Sequence, residues 1–135
     1  MLLVIAGCGG SVAPGKLEVR DAFVFEAAAG GTAAGYALIR NGTDSAEVLD
    51  SVTSAAAATV TAHDTRQVNG LVTMVPMERP AIEPHDSLVF RPGSAHLMLE
   101  DLTADLKDGD RLVLIFWFSR AGRIAVDAAV RPYGS

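Results

Sequence analysis

From Leu17 onward, short stretches of alternating apolar and polar residues are separated by pairs or clusters of Gly, Pro, Asn and Asp. Such alternation is the mark of half-buried strands. The pattern predicts strands over Leu17–Phe25, 33–40, 46–52, 59–63, Leu71–Pro76, 87–91, His96–Leu102, 112–118 and 124–130. Asn41-Gly42 reads as a two-residue hairpin turn joining 33–40 to 46–52, and Asn69-Gly70 as a second one leading into Leu71–Pro76. The alanine run 55–58 is too short and lacks the amphipathic period of a stable helix, so it reads as a bend or the approach to a strand. Arg79-Pro80 and Glu83-Pro84 punctuate a loop. Many short strands and no convincing helix predict an all-β, two-sheet sandwich.

Length and composition narrow the function. A chain of 135 residues, 50% apolar and 20% charged, makes one globular domain. Eleven basic against sixteen acidic residues, with no Lys or Arg run, argue against a nucleic-acid surface. The single cysteine, Cys8, excludes an internal disulfide and any paired-cysteine zinc or redox motif. Ile5-Ala6-Gly7-Cys8 resembles a bacterial lipobox, in which the cysteine is acylated after cleavage. The apolar run before it is short and lacks a basic start, so the natural start is expected upstream; an inert apolar terminus is the alternative. Residues 9–15 read as a flexible tether. The expected layout is a leader and tether over 1–16 and a domain over 17–135, held outside the cytoplasm by a lipid on Cys8.

The candidate chemistry lies in His63, Met74, His96 and Met98. Two imidazoles with two thioethers suit a soft ion: uncharged thioether sulfur selects Cu(I) over zinc, magnesium or calcium. His96 and Met98 are two apart in a predicted strand and so share a face, with Leu97 turned inward. The Asn69-Gly70 turn brings Met74 back toward His63. Each residue also has a plainer reading, His63 as a solvated strand-end residue and Met74 and Met98 as core filler. Met77 faces the opposite way from Met74 and reads as packing. His85 lies in a turn and reads as solvated, and Trp117 as a core strand residue. No nucleophile motif, acid pair beside a histidine or phosphate loop supports an enzyme.

The order His63, ten residues, Met74, twenty-one residues, His96, one residue, Met98 resembles the copper signature of the PCuAC family of extracytoplasmic copper chaperones. Gly35-Tyr36-Ala37, Arg40-Asn41, Leu71-Val72-Thr73-Met74, Phe90-Arg91-Pro92-Gly93 and Leu106-Lys107-Asp108-Gly109-Asp110 also resemble that family's words, so the resemblance spans residues 17–131. It implies a cupredoxin-like Greek-key sandwich and one Cu(I) held by the four residues. It also implies delivery to acceptors such as the CuA centre of cytochrome c oxidase subunit II, alone or with a Sco-type partner. Two departures stand out. Arg66 occupies a region where many members carry a further Met, and Arg131-Pro132-Tyr133-Gly134-Ser135 is not a His/Met-rich tail, so a second copper site is not expected.

Because imidazole must be neutral to bind, copper affinity should fall as pH drops through about 6 to 7. Two other classes compete. An electron-transfer cupredoxin would need a cysteine thiolate with two histidines, and a metal-free Ig-like scaffold or adhesion module would gain no protection from copper.

Overall fold

The computed structural model describes residues 15–134, and among them there are ten strands and no helix. The strands are β1 (Leu17–Phe25), β2 (Ala33–Asn41), β3 (Glu47–Thr53), β4 (Ala57–Val68), β5 (Leu71–Pro76), β6 (Ala81–Ile82), β7 (Ser87–Phe90), β8 (His96–Leu102), β9 (Arg111–Phe118) and β10 (Gly122–Arg131). Cys8 and most of the expected tether lie outside the described residues. No helix among those described is long and apolar enough to cross a membrane.

The strands hydrogen-bond in the order β5-β4-β8-β2-β1-β10-β9-β3-β6, with β7 on β2. Val52 of β3 pairs with Val60 of β4, which closes the middle of the sheet on itself. All neighbours are antiparallel except β1 and β10, which run parallel. The interior is filled from both walls by Val24, Ile39, Leu97, Leu99, Leu114 and Phe116, each fully buried. The alternation along β9, and along β8 as far as Leu99, matches this, with every second residue pointing inward as a half-buried strand requires.

A bulge in β1 changes what the outer face carries. Asp21 takes a left-handed conformation (φ 58°), and the register with β2 shifts between Arg20 and Phe23. Before the shift the odd residues Leu17 and Val19 pack on the core, and after it the even residues Ala22 and Val24 do. One extra residue therefore turns Phe23 and Phe25 outward. They meet Tyr36 there, with ring centroids 5.0 and 5.4 Å away.

Three expectations are corrected. Asn41-Gly42 is not a hairpin turn, because β2 pairs with β1, β7 and β8, and β3 with β4, β6 and β9. Asn41 is instead a fully buried bracket. Its Nδ2 donates to the carbonyls of Ser45, Ile82 and Glu83, and its Oδ1 accepts from the Thr43 backbone N–H and hydroxyl. Gly42 passes so close to the first strand that a Cβ would stand 2.7 Å from the Lys16 carbonyl oxygen. Second, β4 does not stop at His63 but runs on to Val68. Third, Trp117 is 38% exposed and lies on the outer side of β9, where its Nε1 donates to Thr53 Oγ1 at 2.9 Å. Phe116 and Phe118 are the residues of that run that enter the core.

Replacing Asn41 by Ala would take a donor from three carbonyls in two segments, among them the fully buried bond to Ile82. The loss should be about 2–3 kcal/mol of unfolding free energy. A shift in urea midpoint with unchanged slope checks this.

Candidate metal centre

The register of three neighbouring strands decides where the four candidate residues point. In β4–β8 pairing, His63 stands directly opposite His96 and Thr61 opposite Met98. In β4–β5 pairing, Thr65 stands opposite Met74. Residues directly opposite in an antiparallel pair share a face, as do residues two apart on one strand. His63, Met74, His96 and Met98 therefore all project from one face, on β4, β5 and β8. Leu97 and Leu99, the alternate residues of β8, are fully buried on the other.

The two histidines are in contact: their rings stack with centroids 5.9 Å apart and planes 22° from parallel. His96 is almost wholly buried. Its Nδ1 lies 3.2 Å from the Ser94 carbonyl oxygen, which can only accept, so this contact places the proton on Nδ1. Nε2 is then a bare lone pair. It is buried and meets no hydrogen-bond partner, and His63 Nδ1 is likewise buried without one. Buried polar atoms normally find partners, and these two imidazole nitrogens, in stacked rings, are left with capacity to take one. Thr65 Oγ1 donates to the same Ser94 carbonyl at 3.0 Å, tying the 92–94 turn to β4 and steadying His96.

The thioethers occupy the rim. Met98 is half-buried, and Met74 is 58% exposed on the edge strand. Both line, with His96 and Thr65, a pocket of about 460 Å³ whose far wall is Phe25, Tyr36 and Tyr133. Opposite Met98 on β2 is Ala34, a small residue that leaves space beside the sulfur. Phe25 and Tyr36 are nearly buried, yet they pack outside the main core, against each other and against Tyr133. Burial and the neighbouring Tyr133 phenol raise the Tyr36 hydroxyl above its ordinary range, so it stays neutral beside the site. This aromatic wall was not foreseen from the sequence. Only the left-handed residue in β1 accounts for it, and nothing in the order of residues 17–25 marks that position.

Other candidates take plainer roles. Met77 donates its backbone N–H to the Ala62 carbonyl at 2.8 Å and packs on the core, as expected. His85 is exposed and pairs with Asp44 at 2.7 Å. The buried carboxylate of Glu47 is consumed by the N–H groups of Val48, Arg120 and Ala121. Among the described residues no three or more His, Cys, Asp or Glu side chains gather as a metal site. On the face that carries the two histidines, the thioethers of Met74 and Met98 are further donors, of a kind that suits a soft ion.

The orphaned nitrogen carries a cost that can be measured without any metal. His96→Phe removes a buried, unpartnered lone pair while keeping the ring, and Ser94 keeps its bond from Thr65. Metal-free protein should be as stable or more stable, by up to about 1 kcal/mol, as read from thermal unfolding. A loss of several kcal/mol would mean that the nitrogen is satisfied in a way this geometry lacks.

Comparison with known proteins fits this architecture. The family model described as "Putative lipoprotein LpqE-like" matches residues 17–130. A curated relative, "Putative lipoprotein Lxx21020" of Leifsonia xyli subsp. xyli (strain CTCB07), is 29% identical over 98% of this chain and 86% of its own length. Among solved structures, the copper-bound PCuAC domain from PmoF2 superposes with a TM-score of 0.72 at 23% identity, covering 90% of this chain and 97% of that domain. The solution structure of CuI-DR1885 from Deinococcus radiodurans gives 0.65 at 21% identity, covering 87% and 80%. The all-β, cupredoxin-like sandwich expected from the sequence is therefore the fold observed, and the chain belongs to the LpqE-like family, whose fold is that of the PCuAC domains.

Proposed function

We propose that this protein is an extracytoplasmic Cu(I) carrier, not an enzyme, which binds one Cu(I) through His63, Met74, His96 and Met98 and hands it on by ligand exchange. The observation that carries this reading is the pair of buried, unpartnered imidazole nitrogens on the sheet face that also bears the two thioethers. The donor set is neutral, so it leaves the ion its charge and suits a soft monovalent metal. The copper-bound PCuAC domain from PmoF2 and CuI-DR1885, which share this fold, support the same cargo.

Exposure is graded in a way that suits transfer. His96 is shielded, Met98 is half-covered, and Met74 stands on the edge in solvent. An acceptor's donors can displace the Met74 thioether first, while the histidines still hold the ion. The CuA centre of oxidase subunit II, reached directly or through a Sco-type thiol protein, is the acceptor that the PCuAC resemblance implies. A lipid on Cys8 would keep the carrier at the outer face of the membrane, in keeping with the lipoprotein descriptions of its family and relative. Thioethers do not form disulfides and so tolerate an oxidising compartment better than thiols do.

Titration against a chromogenic Cu(I) chelator should give one copper per chain. Met98→Ala and His96→Ala should each weaken binding by about 100-fold or more, equivalent to about 2.7 kcal/mol. Wild-type affinity should also fall on acidification, because an imidazole must be unprotonated to bind the ion. Unchanged affinity in both variants would overturn the assignment of the site.

A further inference from the structure

The hairpin that carries Met74 leaves the body of the sandwich. Every residue from Arg66 through Met74 is exposed. Val68, Leu71, Val72 and Met74 make up half of the large apolar side chains exposed among the described residues. β5 ends the strand order, and among the described residues it pairs with β4 alone. Its outer edge lacks the usual protections: it has no charged residue and no bulge, and its one proline, Pro76, stands at the far end.

The direction of each backbone group follows from one bond. Met77 N–H donates to the Ala62 carbonyl, and antiparallel bonding then recurs at every second pair. Leu71, Thr73 and Val75 therefore bond inward to β4. Val72 and Met74 turn N–H and C=O outward, and Pro76 has no N–H to offer. We propose that this edge pairs with the same edge of a second copy of the chain, antiparallel and about a twofold axis at Thr73.

The strand complements itself only in that register. With Thr73 opposite Thr73, the outward groups of Val72 meet those of Met74 in the second copy, giving four backbone hydrogen bonds. Leu71 then faces Val75 and Val72 faces Met74, so apolar side chains meet on both faces. A register centred on Met74 would set Val72 against Pro76 and lose two donors. One centred on Val72 would need strand geometry from Gly70, which sits in the turn at φ 79°. Charge does not oppose the approach, because Arg66 lies 4.0 Å from Asp64 on its own hairpin. A lipid surface would accept the side chains but leave the N–H and C=O groups of Val72 and Met74 unbonded in hydrocarbon. A closed twofold pair satisfies both.

Sedimentation equilibrium of metal-free full chain tests this independently of any copper binding. The mass should rise toward that of a dimer between micromolar and millimolar concentration. Val72→Pro deletes an outward N–H without touching the β4 ladder, and should weaken association by about tenfold or more. In a Cys8→Ser background, Thr73→Cys should cross-link under mild oxidation, because facing residues at the axis stand about 4.5 Å apart at Cα. Leu71→Cys should not, since its two copies would be about 13 Å apart along the strands. A mass that stays monomeric at millimolar concentration, or equal cross-linking of the two variants, overturns the proposal. So does a monomer whose Val72 and Met74 amides resist hydrogen exchange, which would give the edge to residues 1–14. A monomer that floats with anionic phospholipid vesicles would give it to lipid, and overturns the proposal equally.

Discussion

The antiparallel register between β4 and β8 is the constraint on which the site depends. It sets His63 against His96, and the two-residue period of a strand then places Met98 on the same face. A slip of β8 by one residue would send His96 and Met98 into the core and bring Leu97 out, so the register that buries Leu97 and Leu99 also aims the donors of that strand. Packing and ligation are specified by one alignment. The separation of ten residues between His63 and Met74 follows from the same rule, since a strand out, a two-residue turn and a strand back return Met74 to a place diagonal to His63.

The site sits where the sandwich is least consistent with itself. Elsewhere among the described residues buried side-chain polar atoms are answered, as Asn41 and Glu47 are by several backbone groups each. Two ring nitrogens at His63 and His96 are not. Sequences that fold well break local rules mainly where function asks for it, and here the broken rule coincides with the two thioethers. The aromatic wall of Phe25, Tyr36 and Tyr133 limits the pocket on the side away from the edge, leaving Met74 as the open approach.

Much of this was legible from residue order alone. Period-two runs located nearly every strand, and β8 and β5 were placed to the residue. The shared face of His96 and Met98, the turn that returns Met74 and the packing role of Met77 follow from strand geometry and local turn chemistry. What could not be read was set by tertiary structure. Asn41-Gly42 has the composition of a hairpin turn, but its strand found better partners in β7 and β8, and the asparagine went to bracketing a crossover. Trp117 lies in an unbroken apolar run, which gives no sign of which parity faces inward. β6, only two residues long, has no pattern to detect. The bulge at Asp21 reverses parity in the middle of a strand, so the aromatic residues beside the site were unseen.

X-ray absorption at the copper K-edge of the loaded protein tests the account most directly. The edge should report Cu(I), and the first shell should need two sulfur scatterers together with outer-shell scattering from two imidazole rings. A shell of nitrogen and oxygen alone, or one with a single ring, would contradict the claim that both methionines and both histidines on this face hold the ion.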